Sequence, residues 1–253
     1  MRKFLFLCTL LLSFSGFSAL LLQEVDLVYH NQCYNKLPSV KEADQNLEAR
    51  SDFQNFLKKA GEVANSYGLQ DYLGLRLIHR HFDLRPSQVM VEIFDQYENT
   101  PSLITTPSSM ERAHEKGAVP SSWIFTDSNP MLFETSTDDG ARKGLEKLRN
   151  VPNFWNEMAV LIKKNNFQDL VALAILKRES LIPLSTEQIY MERNYGRLES
   201  SIVQLENREG VVDQSIRTSW AFDETDGVCM CSSHYCHSRD DGDHTRNGVH
   251  IEY

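Results

Sequence analysis

Helical and extended sequence patterns follow one another in an order that restricts the fold class. From Lys41 to Tyr67, apolar residues recur every three or four positions, as on one face of an amphipathic helix. The stretches YLGLRLIHRHF and SQVMVEIFDQY then show period-two character, and the turn-prone DLRPS between them predicts a β-hairpin. Further strands lie beyond a helical middle. This order predicts an α+β fold, with a mainly antiparallel sheet flanked by helices.

The remaining elements are predicted from shorter signals. Four prolines between Asn99 and Pro130 indicate a loop-rich segment with one short helix at Met110 to Lys116 and a strand at SWIFT, for which MLFET is the expected partner. DDGARKGLEKLRNV and PNFWNEMAVLIKKNN are predicted helices, the second with a first-turn proline. DLVALAIL fits a buried strand, although a helix fits it nearly as well, and the predicted strands that follow are SIVQLEN, IRTSWAFDE and GVHIEY. Since no linker interrupts residues 19–253, we expect a single domain.

The first 18 residues have the layout of a signal peptide. A short basic start precedes an apolar run from Phe4 to Leu12, and small residues then lead to a cleavage point before Ala19. The alternative is a membrane anchor that continues to Leu22. Cleavage predicts a secreted or periplasmic protein that keeps no stable membrane span.

The charge balance excludes one class of partner. Asp and Glu number 35 against 26 Lys and Arg, so the formal net charge is -9. An acidic surface repels phosphate backbones, and no dense Lys/Arg run offsets it, which argues against nucleic-acid binding. The expected partner is therefore a protein or a small molecule of unknown identity.

A Cys/His-rich tail at residues 227–250 begins with GVCMCSSHYCHSRDDGDH. Thiolates and imidazoles are the usual ligands of tetrahedral zinc, although this spacing is not that of an ordinary zinc ribbon or finger. The candidate ligands in the tail are Cys229, Cys231, Cys236 and His244.

The same cysteines permit two other interpretations. Together with Cys33 they give the mature chain an even number of cysteines, which predicts two disulfides in an oxidising compartment. Alternatively, Cys231 or Cys236 beside a tail histidine would form a catalytic Cys/His dyad, with the histidine as the base that activates the thiol. The sequence leaves the three interpretations open.

A second donor group lies far from the tail. His79 and His81 form a His-x-His pair at the end of a predicted strand, and residues two apart on a strand project from the same face. Two such imidazoles can bind one metal ion. In the alternative, one histidine bonds to a loop and the other faces solvent.

Three blocks of the chain resemble a family of uncharacterised, mostly fungal proteins. The blocks are GLRLIHRHFDLRPSQVMVE, SWAFDE and CMCSSHYC, which together make up 33 of the 253 residues. The family has no established activity, so the resemblance implies no mechanism. It implies only that the His-Arg-His-Phe stretch and the Cys/His tail belong to one pattern.

These observations lead to one leading hypothesis and two alternatives. The leading hypothesis is an exported protein in which the histidine pair and the tail hold zinc, with hydrolase-like chemistry if one coordination position stays open to water. The alternatives are a non-enzymatic secreted interaction protein stabilised by disulfides and a Cys/His thiol enzyme.

Overall fold

The computed structural model describes residues 25–97, 99–126, 130–181, 187–196, 199–207, 209 and 215–222, and the backbone of 234–237. Within these ranges the chain forms six helices and eleven strands. The helices are α1 (Leu27–Tyr34), α2 (Val40–Glu48), α3 (Phe53–Ser66), α4 (Met110–Glu115), α5 (Asp139–Arg149) and α6 (Pro152–Lys164). The strands are β1 (Leu73–Leu77), β2 (Gln88–Tyr97), β3 (Thr100–Ser109), β4 (Val119–Phe125), β5 (Pro130–Ser136), β6 (Val171–Ile175), β7 (Gln188–Tyr195), β8 (Ser200–Asn207), β9 (Ser215–Arg217), β10 (Ser219–Ala221) and β11 (His234–His237).

All eleven strands belong to one sheet, in the order β10-β1-β6-β4-β5-β2-β3-β8-β7-β11-β9. The pairs β2–β5 and β7–β11 are parallel, and the other neighbours are antiparallel. β9 and β10 occupy the two ends of this order, yet only Thr218 separates them along the chain. The sheet must therefore curl until its two edges come close together. The predicted α+β class with a mainly antiparallel sheet is confirmed.

The convex face of the sheet carries the largest apolar core. Leu75 of β1, Trp123 of β4 and Leu173 of β6 pack in one cluster with Phe56 of α3 and Met158 of α6, and each is buried. Burial of these side chains away from water is the main stabilising contribution of this layer. Helices α3 and α6 thus cover the convex face of the sheet and leave the concave face to be filled by other groups.

The concave face is polar in its middle. Strand register joins Asn194 to Ser201, Ser201 to Thr105, Thr105 to Glu92, and Glu92 to Ser136. Register partners on neighbouring strands share a face of the sheet, so these five buried residues form a polar row around the inside of the curl. One apolar group, which includes Tyr34, Phe82, Met90 and Phe133, and a second, with Leu103, Tyr190 and Val203, also pack in the described core.

The predicted helix over 41–67 is two helices, α2 and α3. The break lies at Arg50, whose guanidinium bonds Asp52 at 2.9 Å and the carbonyl oxygens of Asn165 and Asn166 at 2.8 and 2.7 Å, and stacks 3.9 Å from the centroid of Phe167. These tertiary contacts hold residues 49–52 out of a continuous helix. A capping box between Ser39 and Glu42 fixes the start of α2.

Two predictions about strands are wrong. The expected hairpin is absent because β1 pairs with β6 and β10, whereas β2 pairs with β3 and β5. The segment after Asn99 is not loop-rich at its start, since β3 runs for ten residues through Pro101 and Pro107. Both prolines pair with β2 but lie outside Leu103–Thr105, the part of β3 that pairs with β8, so β3 has a free edge on that side at both positions, where proline is tolerated.

Most of the other predicted elements are confirmed. They are the helices α4 to α6, the strands β6 and β8, and the pair formed by β4 and β5. IRTSWAFDE forms two strands, β9 and β10, instead of one. The predicted signal peptide at 1–18 and the strand GVHIEY lie outside the described residues. Among the described helices, none is long and apolar enough to cross a membrane.

Gly74 of β1 packs so tightly against β10 that no space is left for a side chain. A Cβ there would lie 2.3 Å from the carbonyl oxygen of Trp220 and 2.8 Å from the Cα of Ala221, and neither backbone atom can move without displacing β10. Gly74→Ala is expected to lower the free energy of unfolding, measured by urea denaturation, by about 2 kcal/mol or more. Gly68→Ala, with open space around it and a φ of +67°, serves as the control for backbone strain and should cost about 1 kcal/mol. Equal costs for the two variants would contradict this packing of β10 on β1.

Candidate functional site

His79 and His81 lie inside the curl, directly after β1 ends at Leu77. The predicted strand does not extend through their segment. Its backbone is nevertheless fixed by hydrogen bonds from Ile78 N to Leu170 O at 3.0 Å and from Arg80 N to Pro38 O at 2.9 Å. Both histidines are buried, with 1% of each exposed, and their ring centroids are 4.5 Å apart. The structure therefore brings the two imidazoles together, away from solvent.

Each imidazole is oriented by a hydrogen bond at Nδ1. His79 Nδ1 lies 3.0 Å from the carbonyl oxygen of Leu77, and His81 Nδ1 lies 3.2 Å from Oδ1 of Asn194. Both oxygens only accept, so each Nδ1 carries the proton and donates it. When the ring is neutral, Nε2 then holds the lone pair.

Two carboxylates flank the Nε2 atom of His81. Oε1 of Glu192 on β7 is 3.7 Å away, and Oε1 of Glu134 on β5 is 3.6 Å away. One ligand atom from each of His79, His81 and Glu192 lies within 4.8 Å of the other two, a grouping that can hold a metal ion. Strands β5 and β7 are far apart in the sheet order, so only the curl brings these carboxylates to one point.

Both carboxylates are supported by neighbouring groups. Arg76 of β1 forms an ion pair with Oε2 of Glu134, which leaves Oε1 directed at His81. The Ser201 hydroxyl donates to Oε1 of Glu192 at 2.5 Å. Oε1 of Glu134 is buried and accepts no hydrogen bond from any residue that the structure describes.

A second buried ion pair lies beside this group. Arg178 pairs with Glu92, which also accepts a hydrogen bond from the Ser136 hydroxyl at 2.8 Å. Burial by itself would raise the pKa of Glu92, but the positive charges of Arg178 and Arg76 outweigh it, so the pKa is lowered. Glu92 is therefore ionised at neutral pH.

The described interior carries one more negative than positive charge. Its carboxylates are Glu92, Glu134, Asp138 and Glu192, and its guanidinium groups are Arg76, Arg178 and Arg193. Burial of an uncompensated charge is costly, because the charge loses its hydration. A cation, either a proton on His81 or a metal ion, would remove the imbalance.

Tyr34 closes the interior on the side of α1. It is fully buried, its ring lies 5.9 Å from Phe133, and its oxygen faces the backbone N–H of His81. Burial raises the pKa of the phenol, so it stays protonated. Its O–H finds no acceptor within the described part of the chain.

The other predicted ligands do not all lie in the described residues. Cys229, Cys231 and His244 fall outside them, and Cys236 is described by its backbone alone. Strand register pairs Cys236 with Glu192. Cys33 is a half-buried free thiol that forms no disulfide with a described residue.

Glu134 and Glu192 were not among the residues predicted from the sequence. Each directly follows a run of three apolar or aromatic residues, in MLFET and in QIYMERNY. A carboxylate at an inward position of a buried strand is rare unless it is paired or binds a metal, so this placement was the available signal.

One surface cleft of about 660 Å³ lies beside Arg80, the residue between His79 and His81 in the sequence. Its walls come from the α1–α2 loop, α2 and the segment before β6. None of His79, His81, Glu134 and Glu192 lines it. The cleft is lined by Asn35, Lys36, Leu37, Pro38, Glu42, Gln45, Asn46, Arg80 and Asp169.

Comparison of the chain with protein-family models, with curated proteins and with solved structures gives no match.

Proposed function

We propose that the protein binds one divalent transition-metal ion through Nε2 of His79, Nε2 of His81 and a carboxylate oxygen of Glu192. The observation that carries the proposal is the hydrogen bond at each Nδ1, to Leu77 O and to Asn194 Oδ1. Metal-binding histidines almost always donate their second N–H in this way, which fixes the tautomer and aims the other nitrogen. Zinc is the first candidate, because two imidazoles and a carboxylate are among its common ligand sets.

The donor atoms lie somewhat further apart than the ligands of a four-coordinate ion. Two ligands about 2.1 Å from one ion lie about 3.4 Å apart at tetrahedral angles, and about 3.0 Å apart at the right angles of an octahedral site. His81 Nε2 and Glu192 Oε1 are 3.7 Å apart and the three donor atoms lie within 4.8 Å of one another, so the side chains would move closer together to reach the tetrahedral spacing. Zinc prefers this geometry, whereas magnesium does not.

Three protein donors would leave one position of a tetrahedral ion for water, as in catalytic zinc sites. A hydrolase-like reaction at a metal-activated water, in a protein exported by its N-terminal segment, is therefore the activity that we propose. The tail residues Cys229, Cys231, Cys236 and His244 remain predicted ligands; if they filled the fourth position, the ion would be structural. The disulfide-stabilised interaction protein and the thiol enzyme remain the alternatives.

Metal analysis of the full chain, purified without chelators or metal-affinity steps, tests the proposal. We expect about one equivalent of zinc per chain, since sites of this kind bind tightly. His79→Gln and Glu192→Gln should each weaken zinc binding by about 100-fold or more, because each removes a ligand and not merely a supporting group. The matched controls are His114→Gln on α4 and Glu199→Gln, whose side chains are exposed.

The opposing explanation is that His81 is a permanent imidazolium between Glu134 and Glu192. In that case the wild-type protein would contain less than about a tenth of an equivalent of any transition metal, and added zinc would bind no more tightly than to His79→Gln. Either result would overturn the proposal.

A further inference from the structure

We infer that the ion carries a solvent-derived hydroxide as its fourth ligand and that Glu134 selects this ligand by accepting a hydrogen bond from its O–H. The inference rests on the proposed metal site and adds the identity of the exchangeable ligand. It assigns Glu134 and Ser122, which the sequence did not single out, to the binding of that ligand.

Unpartnered polar atoms indicate where the ligand lies. Oε1 of Glu134 is buried without a described donor, only 3.6 Å from the Nε2 of His81. Ser122 is the register partner of Glu134 on β4, and its hydroxyl is likewise buried and unpartnered among the described residues. Because buried polar atoms are nearly always hydrogen-bonded, a small polar ligand between these side chains would satisfy both.

The charge balance identifies the ligand as a monoanion. The described interior has an excess of one negative charge, so a divalent ion would turn it into an excess of one positive charge. A single monoanion on the ion then leaves the interior neutral, which is the state with the lowest desolvation free energy for a buried group.

The chemistry of Glu134 restricts which monoanion binds. A carboxylate held ionised by Arg76 accepts hydrogen bonds but cannot donate one, so it repels an anion that has no proton. Hydroxide combines the negative charge with an O–H that can donate a hydrogen bond to Glu134. Its oxygen can accept a hydrogen bond from the Ser122 hydroxyl. Complete burial of Glu134 and Ser122 further limits the ligand to a few atoms. A metal-bound hydroxide is a nucleophile, which assigns the site to hydrolysis or hydration of small substrates.

The first test uses the wild-type chain with Co²⁺ in place of zinc. In water enriched in ¹⁷O, electron-nuclear double resonance should detect ¹⁷O coupled to the cobalt, because a solvent oxygen is a ligand. A fully bound Co²⁺ without ¹⁷O coupling would overturn the inference while leaving the metal site intact. Failure to bind one equivalent of Co²⁺ would instead overturn the proposed function.

The second test measures selectivity with azide, a small monoanion that has no proton. Azide binding is followed by the visible absorption of Co²⁺. Azide should bind Glu134→Gln at least about tenfold more tightly than wild type, since the amide can donate a hydrogen bond to azide whereas the carboxylate repels it. Glu92→Gln is the matched control: it removes the same charge from the interior but is tied to Arg178 and Ser136, so its azide affinity should change much less. Equal effects in both variants would show that net charge alone governs binding and would overturn the role of Glu134.

Discussion

Chelation of the bound metal is expected to lower the free energy of unfolding by about 4 kcal/mol when free zinc is held a thousandfold above its dissociation constant. The reason is that the ligands exist as a group only in the folded chain. His81 and Asn194, which bond at the site, are 113 residues apart in sequence, so the unfolded chain presents no preformed site. Urea denaturation with buffered zinc, compared with denaturation in excess EDTA, measures the difference.

Two variants show whether the effect comes from this site. Glu192→Gln should lose most of the zinc-dependent stability, because the amide is a poor zinc ligand and one charge is removed. His114→Gln should keep all of it, since His114 is exposed on α4 and distant in sequence from the donors. A zinc effect that survives in Glu192→Gln would place the ion elsewhere in the chain.

The histidine pair was predictable because its signal is local. His79 and His81 are two residues apart, so the sequence alone brings their rings near each other, whether or not the segment is a strand. The carboxylates carry no such local signal. Glu134 and Glu192 meet His81 only because β5 and β7 are brought round by the curl, and strand order in a sheet is a non-local property.

The errors in the predicted fold have the same origin. Adjacent strand patterns favour a hairpin, yet β1 pairs with β6 and β10, which come about 100 or more residues later in the sequence. IRTSWAFDE reads as one strand, but Thr218 separates β9 from β10, at opposite ends of the sheet order. Helix positions were mostly right because periodicity and caps are encoded within a few residues, as with Pro152 at the start of α6.

Arg178→Met is expected to destabilise the protein by about 3–5 kcal/mol. The change leaves the Glu92 carboxylate buried, with the Ser136 hydroxyl but without its guanidinium partner. The two side chains of the pair are only 2% and 4% exposed, so solvent cannot replace the lost charge. Arg85→Met is the matched control: its pair with Glu199 is largely exposed, and loss of such a pair costs about 0–1 kcal/mol.

The pH dependence gives this prediction its sign. In the wild type, the folded-state pKa of Glu92 is below its unfolded value, so the contribution of Glu92 is present above the unfolded pKa and is lost as the pH falls through the folded one. In Arg178→Met, burial is no longer outweighed by Arg178, so the folded pKa rises and protonation of Glu92 stabilises the fold. The variant should therefore recover part of its deficit relative to wild type as the pH is lowered toward about 4, near the ordinary pKa of a glutamate. Arg178→Met combined with Glu92→Gln should recover stability at neutral pH, and a double variant no more stable than Arg178→Met would show that the loss comes from packing instead of the unpaired charge.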